Sequence, residues 1–271
     1  MTETTFLVDD LLVRHRPGRG GSVLYVHGAT FPSALSISYR IDGVSWMDDL
    51  SARGLDVWAF DFLGYGGSAR PAAMLDGPPF GRAPDAARQI ERVAAAILER
   101  RERLALLAHS WGTLPAGIVA ARRPAWLDRL VLFGPICRRD EPAGPVPATA
   151  HVVVTRDDQW RAFQAGVPDG TPSPIAPAVF DAWAAAYGDA VRVPAGPQVD
   201  IAEAWSGRLP YDPRDVAAPT LAVRGEWDAV TSAPDLDGLR GVTTRTLARG
   251  THRMHLESNR AALFDAVGGF L

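Results

Sequence analysis

The chain has 271 residues, of which 47% are hydrophobic and 22% are charged, and its formal net charge is -3. These values are typical of a soluble globular protein and exclude the strongly basic surface of a nucleic-acid-binding protein. All 28 basic residues are arginine, so Schiff-base chemistry and a lysine general base are excluded as well.

Short apolar runs alternate with helix-length amphipathic segments, a pattern typical of βαβ units and a mostly parallel sheet. The predicted strands span residues 5–8, 11–16, 22–28, 56–64, 103–110, 129–135, 218–228 and 242–252. The predicted helices of the same pattern span residues 84–101 and 112–124, with a final helix from about residue 257. The first two strands are expected to pair antiparallel.

The pattern is interrupted between the sixth and seventh predicted strands, where prolines become dense. One helix is predicted there, at residues 176–191, and it carries aromatic side chains that need burial. We therefore expect a core domain formed by residues 1–135 and 212–271, with an inserted, mainly helical lid at residues 136–211.

Ser110 lies where an apolar strand ends and a helix begins. In open α/β sheets reactive groups gather at the carboxyl ends of the strands, and a sharp turn there can expose a nucleophilic serine. The usual motif of such a turn is G-x-S-x-G, whereas this chain reads A-H-S-W-G, with Ala108 in place of the first glycine. Alanine adds only one methyl group, so Ser110 is predicted to be a nucleophile; a structural serine in a tight turn is the alternative.

A serine hydroxyl needs a nearby base, and a histidine base needs a carboxylate that orients it. His252 is the best placed of the six histidines, because it follows the last predicted strand. Asp228 follows the preceding strand and is the predicted acid, while Glu226 and Asp200 remain its competitors.

The negative charge of a tetrahedral intermediate needs donors that already point at it. The turn supplies the backbone N–H of Trp111, and Ala29, in the loop after the third strand, is the expected second donor. Phe31, Tyr39, Trp183 and the side chain of Trp111 are expected to line an apolar substrate pocket.

Five segments together resemble the α/β-hydrolase superfamily, in its serine-nucleophile branch, over nearly the whole chain. They are HGAT (27–30), DFLGYGGS (61–68), HSWG (109–112), GEWD (225–228) and GTHRMHLE (250–257). The resemblance implies an eight-stranded, mostly parallel sheet flanked by helices and a lid after the sixth strand. It also implies a Ser-His-Asp mechanism that uses no metal and no organic cofactor.

The function expected is hydrolysis of an ester, lactone or thioester of a small to medium apolar substrate. Relatives that carry aspartate at the nucleophile position, the haloalkane dehalogenases and epoxide hydrolases, are disfavoured by Ser110. The alternatives are an acyltransferase, a carbon-carbon bond hydrolase, a proline-iminopeptidase-like enzyme and a non-catalytic ligand-binding protein. Monomer and homodimer both stay open.

The N-terminus and the cysteine content bear on location. The first ten residues, MTETTFLVDD, lack the basic start and apolar core of a secretory signal, and no run of 18 apolar residues occurs. The single cysteine, Cys137, cannot form an intramolecular disulfide, as suits a reducing compartment. We therefore expect a cytoplasmic protein with a small-molecule substrate and no nucleic-acid or membrane partner.

Overall fold

The computed structural model describes residues 2–237, 239 and 241–271. The strands are β1 Thr4–Val8, β2 Leu11–Arg16, β3 Ser22–Val26, β4 Asp56–Phe60, β5 Leu104–His109, β6 Leu127–Phe133, β7 His151–Thr155, β8 Ala190–Pro194, β9 Thr220–Gly225 and β10 Thr243–Leu247. The α-helices are α1 Trp46–Ala52, α2 Ala83–Leu98, α3 Thr113–Ala121, α4 Arg156–Gln164, α5 Pro177–Tyr187, α6 Gly196–Trp205, α7 Ala233–Asp237 and α8 Arg260–Gly268.

One large sheet forms the centre of the molecule, with its strands in the spatial order β1-β2-β4-β3-β5-β6-β9-β10. β1 pairs antiparallel with β2, and β2 with β4, whereas every other pairing in this sheet is parallel. Every residue of β5 is buried, because helices cover both faces of a parallel sheet. The prediction of a mostly parallel, eight-stranded sheet is confirmed.

Helices on the two faces of this sheet enclose two apolar cores. α2 and α3 pack on one face and α1 and α8 on the other. Because β3, β5, β6 and β9 run parallel, their carboxyl ends lie at one edge of the sheet. The chain must turn at this edge before it enters the next element. No helix in the described residues is both long and apolar enough to cross a membrane.

The chain between β6 and β9, residues 134–219, forms an insertion outside the sheet. It contains the antiparallel pair β7–β8 and the helices α4, α5 and α6. The sequence pattern indicated only α5. The polar α4 buries only Gln159 and Phe163, so it carries little hydrophobic periodicity, and α6 begins with Gly196 and Pro197, which are typical of a loop.

The last helix begins later than the sequence indicates. A short 3-10 turn spans Met254–Leu256, and Glu257 then has an extended backbone, with φ of -98° and ψ of 172°. α8 therefore starts at Arg260, three residues after the predicted start.

Candidate active site

Ser110 lies at the tip of a sharp turn between β5 and α3. Its φ angle is +57°, in the left-handed region that non-glycine residues rarely adopt. The turn packs so closely on β3 that a Cβ atom at Gly112 would lie 2.4 Å from the carbonyl oxygen of His27. Ala108, on the strand side of the turn, is fully buried, so a small residue satisfies the packing there.

His252 and Asp228 lie in hydrogen-bonding positions beside Ser110. The Nε2 atom of His252 is 2.7 Å from the Ser110 Oγ atom, and its Nδ1 atom is 3.0 Å from each carboxylate oxygen of Asp228. His252 and Asp228 are buried, whereas Ser110 is only half-buried. The hydrogen-bonded series of carboxylate, imidazole and hydroxyl therefore ends at Ser110, the member that solvent can reach.

The surroundings of Asp228 keep its carboxyl group ionised. Burial acts to raise its pKa, but His252 and the backbone amides of Thr231 and Val230 outweigh burial and hold the pKa below its usual value. Those amides donate to Oδ1 at 2.9 and 2.8 Å. The carboxylate is therefore held in one orientation and can orient the imidazole.

The two competing carboxylates lie elsewhere. Glu226 is exposed and accepts a hydrogen bond from the backbone N–H of Arg249. Asp200, on α6, pairs with Arg82 at 2.5 Å and accepts the indole N–H of Trp111 at 2.9 Å. Of the three acids considered from the sequence, Asp228 is the one that contacts His252.

The loop after β3 lies against the serine turn. A Cβ atom at Gly28 would be 3.1 Å from the Ser110 Cβ atom, so glycine permits the close approach. His27 accepts the Phe62 N–H at Nε2 and donates from Nδ1 to the Gly28 carbonyl, while Tyr65 donates its hydroxyl to the Ala29 carbonyl. Within the described part of the chain the Ala29 N–H has no acceptor, which suits a donor kept for substrate.

The buried position of His27 suits it to hold this loop in place. Desolvation lowers its pKa despite the nearby Asp61, so the ring stays neutral and can accept at one nitrogen while it donates from the other. The sequence segment HGAT drew attention to this loop but gave no sign of the contacts with Phe62 and Tyr65, which are more than 30 residues away.

Two further residues position His252, and neither was among the residues predicted to take part directly in catalysis. His109 donates from Nε2 to the His252 backbone carbonyl at 2.9 Å, and burial together with the neighbouring His255 lowers the pKa of His109 well below its usual value. Gly134 follows β6 with a φ of +55°, and a Cβ atom there would lie 2.8 Å from the His252 ring. The glycine at this strand exit was the signal available in the sequence.

The structure corrects two of the four predicted pocket residues. The Trp111 side chain is 1% exposed, packs on Phe62 and is bonded to Asp200, so it belongs to the core and only its amide remains a candidate for substrate contact. Trp183 is fully buried and donates its indole N–H to the Leu35 carbonyl. Each indole N–H already has an acceptor within the protein and each ring packs on another aromatic ring, so neither side chain is free to bind a substrate.

Phe31 and Tyr39 remain predictions as substrate contacts. Phe31 is 5% exposed and packs edge-to-face on Trp183, while Tyr39 is half-buried beside the same aromatic cluster. This cluster joins the loop after β3 to α4 and α5 of the insertion.

A cleft of about 800 Å³ lies apart from Ser110, His252 and Asp228, none of which lines it. It opens between Pro135, at the exit of β6, and Tyr211, at the end of the insertion. Size alone would favour this cleft as a ligand site. The hydrogen-bonded groups that can perform chemistry lie at the serine turn instead.

A buried acid, Glu257, closes the loop that carries His252. Its carboxyl group accepts hydrogen bonds from the backbone N–H and the hydroxyl of Thr251. Burial is the largest influence on this group and raises its pKa from 4.5 to about 7. Glu257 is therefore largely protonated in the folded protein at mildly acidic pH.

The stability that Glu257 contributes is expected to fall as the pH rises, whereas the buried histidines His27, His109 and His255, whose pKa values are lowered, destabilise the folded chain at acidic pH. Because the pKa of Glu257 is higher in the folded chain, its contribution is fully present below pH 4.5 and is lost as the pH rises through about 7. The loss is roughly 3 kcal/mol of unfolding free energy, at about 1.4 kcal/mol per pKa unit. Urea unfolding should show the difference in unfolding free energy between the wild type and Glu257→Gln fall by this amount as the pH rises from 4.5 through about 7, while the difference between the wild type and the exposed-site control Glu226→Gln stays constant. A constant difference for both variants would contradict the assignment.

Known proteins share this architecture. The model of the alpha/beta hydrolase family matches residues 23–266. No functionally curated protein matches the sequence significantly.

Three solved structures illustrate the similarity in fold. E-2-(acetamidomethylene)succinate hydrolase is 21% identical, with a TM-score of 0.66 over 99% of this chain and 98% of that one. The thioesterase domain from the curacin biosynthetic pathway is 18% identical, with a TM-score of 0.67 over 100% and 99%. A serine hydrolase involved in carbazole degradation is 20% identical, with a TM-score of 0.68 over 99% and 98%. Identities this low show the fold alone, but the family model covers most of the sequence, and the chain belongs to the alpha/beta hydrolase family.

Proposed function

We propose that the protein is a serine hydrolase that cleaves an ester, lactone or thioester through Ser110, His252 and Asp228. The observation that carries this proposal is the continuous hydrogen-bonded relay from the Ser110 hydroxyl through His252 to Asp228. The backbone strain at Ser110 supports it, because such strain persists where function requires the conformation. Hydrolases, including a thioesterase, are among the structural neighbours.

The proposed reaction has two halves. Ser110 Oγ attacks the substrate carbonyl carbon while its proton moves to His252 Nε2, and the amides of Trp111 and Ala29 stabilise the resulting oxyanion. The intermediate collapses as His252 returns that proton to the leaving group, which leaves an acyl group on Ser110.

Water then attacks the acyl group and gives a proton to His252 Nε2. Collapse of the second intermediate returns this proton to Ser110 Oγ and releases the carboxylic acid. The half-buried position of Ser110 favours water as the acceptor over transfer to a second substrate, since solvent reaches the hydroxyl.

Intact-mass analysis after exposure to a fluorophosphonate tests the nucleophile. The wild type is expected to gain one adduct, and Ser110→Ala is expected to gain none, because the hydroxyl activated by His252 is removed. The chain offers a matched control in Ser36, whose hydroxyl lies 3.2 Å from the Nε2 atom of another buried histidine, His255. Ser36→Ala should label like the wild type.

Labelling that survives in Ser110→Ala would overturn the proposal. An unlabelled wild type that also hydrolyses no activated ester would favour a ligand-binding protein built on a hydrolase fold.

A further inference from the structure

Arg253, the residue after His252, is a buried cation. Its side chain lies between two aromatic rings, with its guanidinium carbon 5.8 Å from the ring centre of Phe31 and 5.2 Å from that of Phe163. Its Nη2 atom donates to the Gln159 side-chain oxygen at 3.1 Å. The residue is only 8% exposed, and within the described residues its guanidinium forms no salt bridge.

Two hydrogen-bond donors of this pair are unsatisfied within the described residues. The Nε atom of Arg253 and the Nε2 atom of Gln159 are both buried and form no hydrogen bond of good geometry there, although the Tyr187 hydroxyl lies near the Gln159 side chain. Gln159 is fully buried on α4. Buried charges and buried amides are ordinarily paired, so two neighbouring unsatisfied donors are unusual in a protein interior.

The acids nearest to Arg253 are engaged elsewhere. The Glu257 carboxyl group accepts from Thr251, and the Asp228 carboxylate accepts from His252. Desolvation lowers the pKa of Arg253 to about 10, so the side chain keeps its charge at neutral pH. Burying this charge without a paired anion costs free energy, and an anion supplied from outside the chain would offset that cost.

The position of this cation ties it to the proposed chemistry. Arg253 directly follows the histidine bonded to Ser110, and its guanidinium lies over Phe31, two residues beyond the candidate oxyanion donor Ala29. α4 brings Gln159 to the same place from the insertion. Core and insertion therefore meet at these two side chains, at the loop that carries His252.

We propose that Arg253 and Gln159 bind a carboxylate group of the substrate, so that the preferred substrates are esters or thioesters that also carry a free carboxylate. This inference rests on the proposed function for the bond that is cleaved. It replaces the apolar substrate expected from the sequence with an amphiphilic one, whose apolar part packs on the aromatic rings and whose anion pairs with the guanidinium.

Matched ester pairs test the inference. Mono-4-nitrophenyl glutarate is compared with 4-nitrophenyl pentanoate, and 4-(butanoyloxy)benzoate with phenyl butanoate, so that the carboxylate lies on the acyl side in one pair and on the leaving-group side in the other. In at least one pair the wild type is expected to prefer the anionic ester about 10- to 100-fold in kcat/KM, the range of a charge-assisted hydrogen-bonded contact.

Two variants and one control separate binding from packing. Arg253→Met keeps the apolar length of the side chain and is expected to bring the preference to about one, mainly through KM. Gln159→Glu places a carboxylate beside the guanidinium and is expected to remove the preference while raising Tm. The control is Arg156→Met, because Arg156 also lies over an aromatic ring, that of Phe180, but is paired with Asp181; the preference should persist there.

A measurement without turnover completes the test. Glutarate is expected to raise the Tm of Ser110→Ala and to leave the Tm of the double variant Ser110→Ala/Arg253→Met unchanged. A wild type that is labelled by fluorophosphonate but prefers the neutral ester in both pairs, with no effect of glutarate on Ser110→Ala, overturns this inference and leaves the proposed function standing. Absence of both labelling and hydrolysis overturns the proposed function instead.

Discussion

Asp228→Asn is expected to lower kcat/KM for an activated ester by about 10⁴-fold, with little change in the fold. In the wild type, Oδ1 of Asp228 accepts two backbone amides while the carboxylate accepts the Nδ1 proton of His252. An asparagine keeps its oxygen on the amides and turns its NH₂ group toward His252. The imidazole must then accept at Nδ1 and carry its proton on Nε2, so it cannot take a proton from Ser110.

Hydrolysis of 4-nitrophenyl butanoate and the rate of fluorophosphonate labelling measure this loss. Glu226→Gln, two residues earlier in the chain, is the matched control and should behave as the wild type because Glu226 is exposed and bonds only to the Arg249 backbone among the described residues. Activity within tenfold of the wild type in Asp228→Asn would show that another group orients His252.

Gly134→Ala is expected to lower kcat by about 10²-fold, because a Cβ atom at this position would lie 2.8 Å from both Cε1 and Nδ1 of His252. The same Cβ atom would lie 3.2 Å from Oδ2 of Asp228, so the alignment of the ring with this carboxylate must change. A displacement of about 1 Å at a reacting group costs about this much. The same kinetic measurement, together with a thermal melt, checks the effect.

The left-handed backbone at Gly134 would by itself cost stability in the alanine variant, about 1 kcal/mol. Gly43→Ala controls for this cost, since Gly43 has a φ of +80° and nothing within 4 Å of an added Cβ atom. Both variants should lose the stability that the backbone conformation costs, and Gly134→Ala should lose more because of its contact with the His252 ring; only Gly134→Ala should lose activity. Equal activity in the two variants would show that the close packing on His252 is dispensable.

The sequence positions of the three candidate catalytic residues were predictable because each residue follows the end of a strand. Ser110, Asp228 and His252 each follow a strand of the parallel sheet, and the carboxyl ends of such strands meet at one edge. Hydrophobic runs located those strands because both faces of a parallel sheet are buried, so the runs are nearly continuous. The roles of the three residues stay predictions, which the variants above address.

Side-chain direction was not predictable, because it depends on partners distant in sequence. The Trp111 indole turns into the core, where Asp200 accepts its N–H from 89 residues away. Trp183 is bonded to the Leu35 carbonyl, 148 residues away. In the insertion, helices such as α4 are held by a few buried contacts and by a capping box, so hydrophobic periodicity did not reveal them.

The hydrogen bond between the Trp111 indole and Asp200 helps to attach α6 to the core more firmly than α4 and α5 are attached. Asp200 receives the Arg82 guanidinium, the Ala83 amide and the Trp111 indole, so lifting α6 would strip a buried carboxylate of three donors at once. α4 and α5 rest on the core mainly through aromatic packing, together with the hydrogen bonds from Arg253 to Gln159 and from Trp183 to the Leu35 carbonyl. We therefore expect α6 to act as a fixed hinge and α4 and α5 as the part that swings aside when a molecule enters or leaves.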